Sequence, residues 1–177
     1  MNRFEWVSYK QFYKDITKTI PDIESFSEED KSDLSLMVMN IYGTIPKPHR
    51  KTKKSSGYDF ISPISFDLEP KGIIKVPTGI KCQLDENKFL MIIIRSSMGF
   101  TYRIRLINQV GDIDSDYYNN PSNEGHVWIG LENIGDETWH VEHGDAIAQG
   151  VILSYYTTVD DDAEEEREGG FGSTNKK

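Results

Sequence analysis

Four short stretches bring residues of chemical interest together. Arg95-Ser96-Ser97 follows the apolar run Phe89 to Ile94. An Arg and two hydroxyls at a strand end offer a bidentate donor beside two short donors, which suits phosphate oxygens. The same three residues also fit a plain ion pair with two capping serines. Gly111-Asp112-Ile113-Asp114-Ser115-Asp116-Tyr117 packs three carboxylates into five residues. Residues two apart share one face of a strand, so these like charges raise one another's pKa or require a cation or donors. The pattern fits a general base for a water, a metal site, or a solvated acidic turn. Gly144-Asp145-Ala146-Ile147-Ala148-Gln149 turns into an apolar strand, where a buried amide needs a partner. Gly169-Gly170-Phe171-Gly172-Ser173-Thr174 cannot build a core. Its glycines let a backbone wrap closely over something while one ring makes a specific contact.

The elements that must position these groups are legible as patterns. In residues 1–45, Trp6, Tyr9, Tyr13, Ile16 and Ile20 have helical spacing, with Pro21 as a stop. Ser27 with Asp30 predicts an N-cap, and Leu34, Met37, Val38 and Ile41 continue a second amphipathic stripe up to Gly43 and Pro46. Lys47, Arg50, Lys51, Lys53 and Lys54 make a basic stretch, either a solvated linker or an electropositive lip near an anionic ligand. Residues 57–158 hold many short β-branched runs between turn signals, with no helical period, which predicts a sandwich, jelly roll or barrel. Residues 159–177 open with seven acids within nine residues and read as a solvated arm.

Composition narrows the function classes. The chain has 177 residues, 20 Lys plus Arg against 29 Asp plus Glu, and a formal net charge of −9. That charge disfavours general nucleic-acid binding. No apolar run approaches the roughly 18–20 residues of a membrane span, and the N-terminus has no apolar signal region, so a cytoplasmic protein is expected. Mean hydropathy is −0.55, lean for a compact monomer. A polar end segment or an oligomer that shares its core explains such leanness. The single Cys82 excludes an internal disulfide and reads as a small core residue. His126, His140 and His143 are too scattered for a ligand pair and are expected to be solvated or hydrogen-bonded.

The order of these pieces resembles the five motifs of the trimeric dUTPase family, the deoxyuridine triphosphate nucleotidohydrolases, over residues 45–174. They are Ser56 to Phe60, Arg95 to Gly99, Asn108 to Tyr117, Gly144 to Gln149, and Arg167 through Thr174. The resemblance implies an all-β, distorted jelly-roll (β-clip) subunit with an added N-terminal helical segment, 1–45, a β domain, 46–158, and a C-terminal arm, 159–177, that closes over a neighbouring site. It implies a homotrimer that hydrolyses dUTP to dUMP and pyrophosphate with Mg²⁺, keeps uracil out of DNA and supplies dUMP for thymidylate synthesis. Asp114 matches the water-activating carboxylate. Asn108 matches the amide that pairs with the uracil edge, completed by backbone of the same hairpin at Gly111. Tyr117 matches the ring that lies against deoxyribose and leaves no room for a 2′-hydroxyl. Arg95, Ser96, Ser97 and Gln149 match phosphate contacts supplied by a neighbouring subunit. Phe171 would stack on uracil, with Arg167, Gly172 and Ser173 near the phosphates. Mg²⁺ would be held by triphosphate oxygens and waters, with Asp59 touching its water shell.

Four departures from that pattern stand out. Ala146 replaces the usual Arg before Ile-Ala-Gln. The stretch from Arg167 to Phe171 is one residue short. Tyr118 to His126 forms an extra loop. Residues 1–45 lie outside the common core and could pack on the trimer, bind a protein partner or regulate the arm. Two other functions compete: a dCTP deaminase-like or bifunctional enzyme, whose acid would fall at Gly130 with Glu132 two residues away, and a nucleotide-binding regulatory module.

Overall fold

Short β-branched runs become strands when each finds a partner of matching length. A computed structural model describes residues 1–164, Arg167 and Gly169. Its first half contains β1 (Arg3–Trp6), α1 (Tyr9–Thr17), α2 (Glu28–Thr44), β2 (Tyr58–Ile61), β3 (Phe66–Leu68), β4 (Ile73–Pro77) and β5 (Ile80–Gln83). Its second half contains β6 (Lys88–Ile93), α3 (Ser96–Phe100), β7 (Ile104–Leu106), β8 (Gly111–Asp114), β9 (Trp128–Asn133), β10 (Trp139–Val141) and β11 (Ala146–Ser154). One sheet runs β2-β11-β6-β8 and a second runs β4-β9-β7, with the pairs β1-β5 and β10-β3 beside them. Every pairing among these strands is antiparallel.

Alternation along each strand builds the core. On β9, Ile129, Leu131 and Asn133 point inward while the residues between them stay partly exposed. They meet Phe60, Leu90, Ile92 and Ile147 of the larger sheet in one hydrophobic cluster. The buried Asn133 amide is satisfied, donating to the Leu68 and Glu137 carbonyls and accepting from Gly135 N–H.

The register of the larger sheet positions the motifs. Gln149 on β11 pairs with Asp59 on one side and Ile93 on the other. At the far end of β6, Phe89 pairs with Asp114 of β8.

The N-terminal segment departs from the predicted continuous helical face. Arg3–Trp6 is a strand paired to β5, so Trp6 cannot share a face with Tyr9 and Tyr13. Ser8 explains the break. Its backbone is extended and its Oγ accepts from Gln11 N–H, so the helix starts only at Tyr9. The helix buries Gln11, Phe12, Asp15 and Ile16 and ends at Thr17, before Pro21. The Ser27–Asp30 capping box forms as expected. Leu34 and Val38 of α2 are buried, whereas Met37 is 52% exposed and does not belong to the packed stripe. Phe4, Phe12, Ile16, Leu34 and Val38 join the same hydrophobic cluster as the β residues, so this segment packs directly on the β core.

Candidate active site

A polar cradle forms where three motifs meet on neighbouring strands. β6 ends at Ile93, and Arg95, still extended, leads into the short α3. Arg95, Ser96 and Ser97 then line a cavity of about 310 Å³ with Gln149, Asp59, Gly57, Ser55 and Lys51. Arg95 Nε stands 3.4 Å from Asp59 Oδ1, and Gln149 Nε2 donates to the Ile94 carbonyl at 3.3 Å. Gly57 leaves room for the Gln149 amide: a Cβ there would meet Gln149 Oε1 at 2.1 Å and push that side chain out of its present place. The arrangement offers cationic and hydroxyl donors to an anionic ligand. Of the basic stretch, Arg50 bonds the Lys53 and Ser55 carbonyls and Lys47 lies over Trp6, and only Lys51 lines this cradle, joined by Ser55. Position in sequence next to the Ser56–Phe60 motif is the only signal that pointed to either.

A second, mainly apolar cavity of about 500 Å³ lies between the two sheets. Ile92, Gly111, Asp112 and Ile113 line it from one sheet, Lys75, Leu106, Trp128 and Gly130 from the other, with Ile107 and Asn108 in the turn between them. The turn is tight, with Gln109 at φ +61° and Val110 N–H donating to the Asn108 carbonyl at 2.6 Å. A slot with apolar walls and an amide at its mouth suits a flat heterocycle with one polar edge. Trp128 and Lys75 were not singled out from sequence, because nothing local marks them as lining a cavity.

The third cluster is acidic. Asp114 ends β8, and Asp112 and Asp116 are exposed on either side of it. Burial lifts the Asp114 carboxyl above its ordinary range, Asp112 pushes the same way, Arg167 opposes, and Asp116 adds a smaller push upward. Arg167 bridges two of the acids, with Nη2 2.5 Å from Asp114 Oδ2 and Nε 2.8 Å from Asp116 Oδ1. Its guanidinium lies 5.8 Å from the Tyr117 ring centroid. Tyr117 is buried, and its hydroxyl donates to the His126 carbonyl.

The chain thus gathers Arg95, Ser96, Ser97, Gln149 and Asp59 at one place, Asn108 and Gly111 at a second, and Asp114, Tyr117 and Arg167 at a third. Phe171, Gly172 and Ser173 lie outside the described residues. Among the described residues, no group of three His, Cys, Asp or Glu side chains is arranged to hold a metal ion. Asp59 lines the cradle, which fits contact with the water shell of an ion carried by a phosphate ligand. Cys82 is a buried core residue whose thiol burial pushes up to about 12. The histidines are hydrogen-bonded: His140 to Asp67, His143 to Thr44 and His126 to Asp15. Position 130 is a glycine and carries no acid, and a Cβ there would stand 2.5 Å from Ile107 Cδ1, so that side chain would have to move to admit one. Glu132 is held by Arg105 in an ion pair of 2.7 Å and does not line the cavity.

Known proteins share this architecture and these sequences. Residues 44–175 match the family model for dUTPase. The deoxyuridine 5′-triphosphate nucleotidohydrolase of Lactococcus lactis is 40% identical over 129 residues, covering 72% of this chain and 86% of the relative. The Haemophilus influenzae protein of the same name is 34% identical over 155 residues, covering 83% and 99%. A solved dUTPase structure from Streptococcus mutans superimposes with a TM-score of 0.58 at 36% identity, covering 63% of this chain and 88% of that one. The jelly-roll-like, all-β fold expected from sequence agrees with that likeness. On the span of the family model and the identity to these relatives, the chain belongs to the dUTPase family.

Proposed function

We propose that the chain hydrolyses dUTP to dUMP and pyrophosphate, removing the precursor that would put uracil into DNA. The turn that joins the two sheets, between β7 of one and β8 of the other, carries this reading. It sets Asn108 at the mouth of an apolar slot and Asp114 on the strand that leaves the turn. Uracil enters the slot and meets the Asn108 amide and the Gly111 backbone, while Tyr117 lies against deoxyribose. Asp114 accepts a proton from a water as the water attacks phosphorus; the α–β anhydride bond breaks and pyrophosphate leaves. Asp59 would touch the water shell of a Mg²⁺ ion brought in by the triphosphate, and that ion would supply charge neutralisation on the leaving group. In the single chain Arg167 pairs with Asp114, and incoming phosphates compete for the same guanidinium.

Geometry within one chain supports an assembly with shared sites. Asp114 pairs with Phe89 at one end of β6, and Arg95 follows the other end. Six residue steps along extended chain separate Phe89 from Arg95, about 20 Å at 3.3 Å per step. The cradle of Arg95, Ser96, Ser97 and Gln149 therefore serves the Asp114 of another copy, which fits a homotrimer. In that assembly the arm, 159–177, closes over a neighbouring site and brings Phe171, Gly172 and Ser173 to the nucleotide. No helix among the described residues is long and apolar enough to cross a membrane, in keeping with a cytoplasmic enzyme.

The test is pyrophosphate release with Mg²⁺ from dUTP, UTP, dCTP and dTTP in parallel, with ammonia followed for dCTP. Release from dUTP alone is expected. Asp114→Asn should lower kcat about 100-fold or more, in the range of a lost general base, while binding of a non-hydrolysable dUTP analogue survives. Full turnover in that variant would sink the mechanism, and ammonia from dCTP would move the chain to the deaminases.

A further inference from the structure

The two pieces that the common core lacks, the N-terminal segment and the loop Tyr118 to His126, hold each other. They meet at three points. Tyr118 Oη donates to Glu5 Oε2 at 2.5 Å. Ser8 donates to Glu124 twice, from its N–H at 2.8 Å and its hydroxyl at 2.6 Å. His126 and Asp15, at 0% and 1% side-chain exposure, share a hydrogen bond of 2.7 Å. Gly79 N–H donates to His126 Nε2, so Nδ1 carries the proton and donates to Asp15. Asp15 also accepts from Gln11 Nε2 and Lys18 Nζ.

The loop's inner side closes on Tyr117. Asn123 Nδ2 donates to Tyr117 Oη at 2.7 Å, while that hydroxyl donates to the His126 carbonyl at 3.2 Å. The Tyr117 carbonyl accepts from Asn120 Nδ2 at 2.9 Å. The Asn123 side-chain oxygen accepts from Asn120 Nδ2 and from Gly125 N–H, which ties the two amides into one unit. Gly125 is at φ +77°, and a Cβ there would stand 2.6 Å from the Tyr117 carbonyl, so only glycine lets the loop come this close. The ring is gripped at its hydroxyl and its backbone by the same nine residues that the N-terminal segment holds from outside.

We infer that Asn123 is a positioning residue: it fixes the Tyr117 ring, and the N-terminal segment, through Asp15–His126 and Ser8–Glu124, keeps that grip rigid, so that together they set the discrimination between deoxyribose and ribose. This deepens the reading of Tyr117 as the sugar-facing ring and rests on it. A loosened ring still lets dUTP bind and react, since Asn108 lies in the turn before β8 and Asp114 at the end of that strand. It no longer holds the wall against a 2′-hydroxyl.

The experiment compares kcat and KM for dUTP and UTP, with Mg²⁺, in the wild-type full-length protein, Asn123→Ala, Glu124→Ala and Tyr117→Ala. Asn123→Ala should lower the dUTP-over-UTP ratio of kcat/KM about 10-fold, a size typical of a misplaced contact group, with kcat for dUTP unchanged within about threefold. Glu124→Ala removes the partly exposed Ser8 contact and a looser 3.8 Å ion pair with Lys81, and keeps the test available if Asn123→Ala folds poorly. It should lower the ratio about threefold, since one of three tethers is lost. A merely structural role predicts losses of equal size on both nucleotides, and that result overturns the inference. An unchanged ratio in Asn123→Ala and Glu124→Ala beside a collapsed ratio in Tyr117→Ala overturns it too, while leaving the sugar-facing ring intact. A wild-type protein that does not discriminate dUTP from UTP overturns both.

Discussion

Asp114 has a proton affinity set by its surroundings more than by its own chemistry. Burial raises it first, the Asp112 charge two residues away raises it again, and Arg167 pulls it back. A base with a raised pKa is better matched to proton transfer near neutral pH than an ordinary carboxylate. The sign of a neighbour change follows. Asp112→Asn removes a like charge, so the Asp114 carboxylate persists to lower pH. The acid limb of kcat/KM for dUTP should move to lower pH. A pH–rate profile of the variant against wild type checks this, and a limb that moves upward would refute the account of Asp114. Gln149 makes a related point. Its amide was expected to find a partner, and it does, on the Ile94 carbonyl, while still lining the phosphate cradle.

At the scale of elements, α1 is joined to the rest of the molecule by a buried acid–histidine pair. Burial depresses the His126 pKa, against the pull of Asp15, so His126 is neutral in the folded chain. Burial alone would raise Asp15, but hydrogen bonds from His126, Lys18 and Gln11 outweigh it and hold the carboxyl well below its usual range. The linkage signs agree. Below about pH 6.5 the unfolded histidine takes a proton that the folded one resists, so stability falls as pH drops. Asp15 contributes stability above its unfolded value of about 3.9, and this is lost as pH falls through its lower folded value. The melting temperature should therefore decline from pH 7.5 to 5. His126→Gln should lie below wild type throughout and show a shallower slope. Equal slopes in thermal melts of the two proteins would remove His126 as the cause.

The whole molecule poses a problem that one chain cannot solve. Its acid and its phosphate cradle sit at opposite ends of β6, and large apolar side chains such as Phe100 and Tyr156 are 91% and 95% exposed. The proposed homotrimer would answer both, the first by sharing sites between copies and the second by burying these side chains between them. The corresponding prediction uses two dead proteins. Asp114→Asn and Arg95→Ala should each lose nearly all turnover alone. Mixed after denaturation and refolding together, they should recover about a tenth or more of wild-type activity, because some sites then receive an intact Asp114 from one chain and an intact Arg95 from another. No recovery in the mixture, with oligomers formed, would place both residues in the same chain's site.

Much of this was readable from the sequence because it depends on neighbours in the chain. The Ser27–Asp30 capping box, the strands between turn signals and the Arg95-Ser96-Ser97 element are local patterns whose physics is complete within about ten residues, whereas the expected hairpin before Tyr117 is instead a turn between strands of two different sheets. What lay beyond reach depends on partners far away. Arg3–Trp6 became a strand because the edge of β5 was open to it, not because its spacing asked for one. Asp15 and His126, 111 residues apart, became a buried pair only when α1 packed beside the extra loop. Lys51 joined the cradle only when β2 came to lie beside β11. Local periodicity records which face a residue prefers, and only the packed chain decides what stands opposite that face.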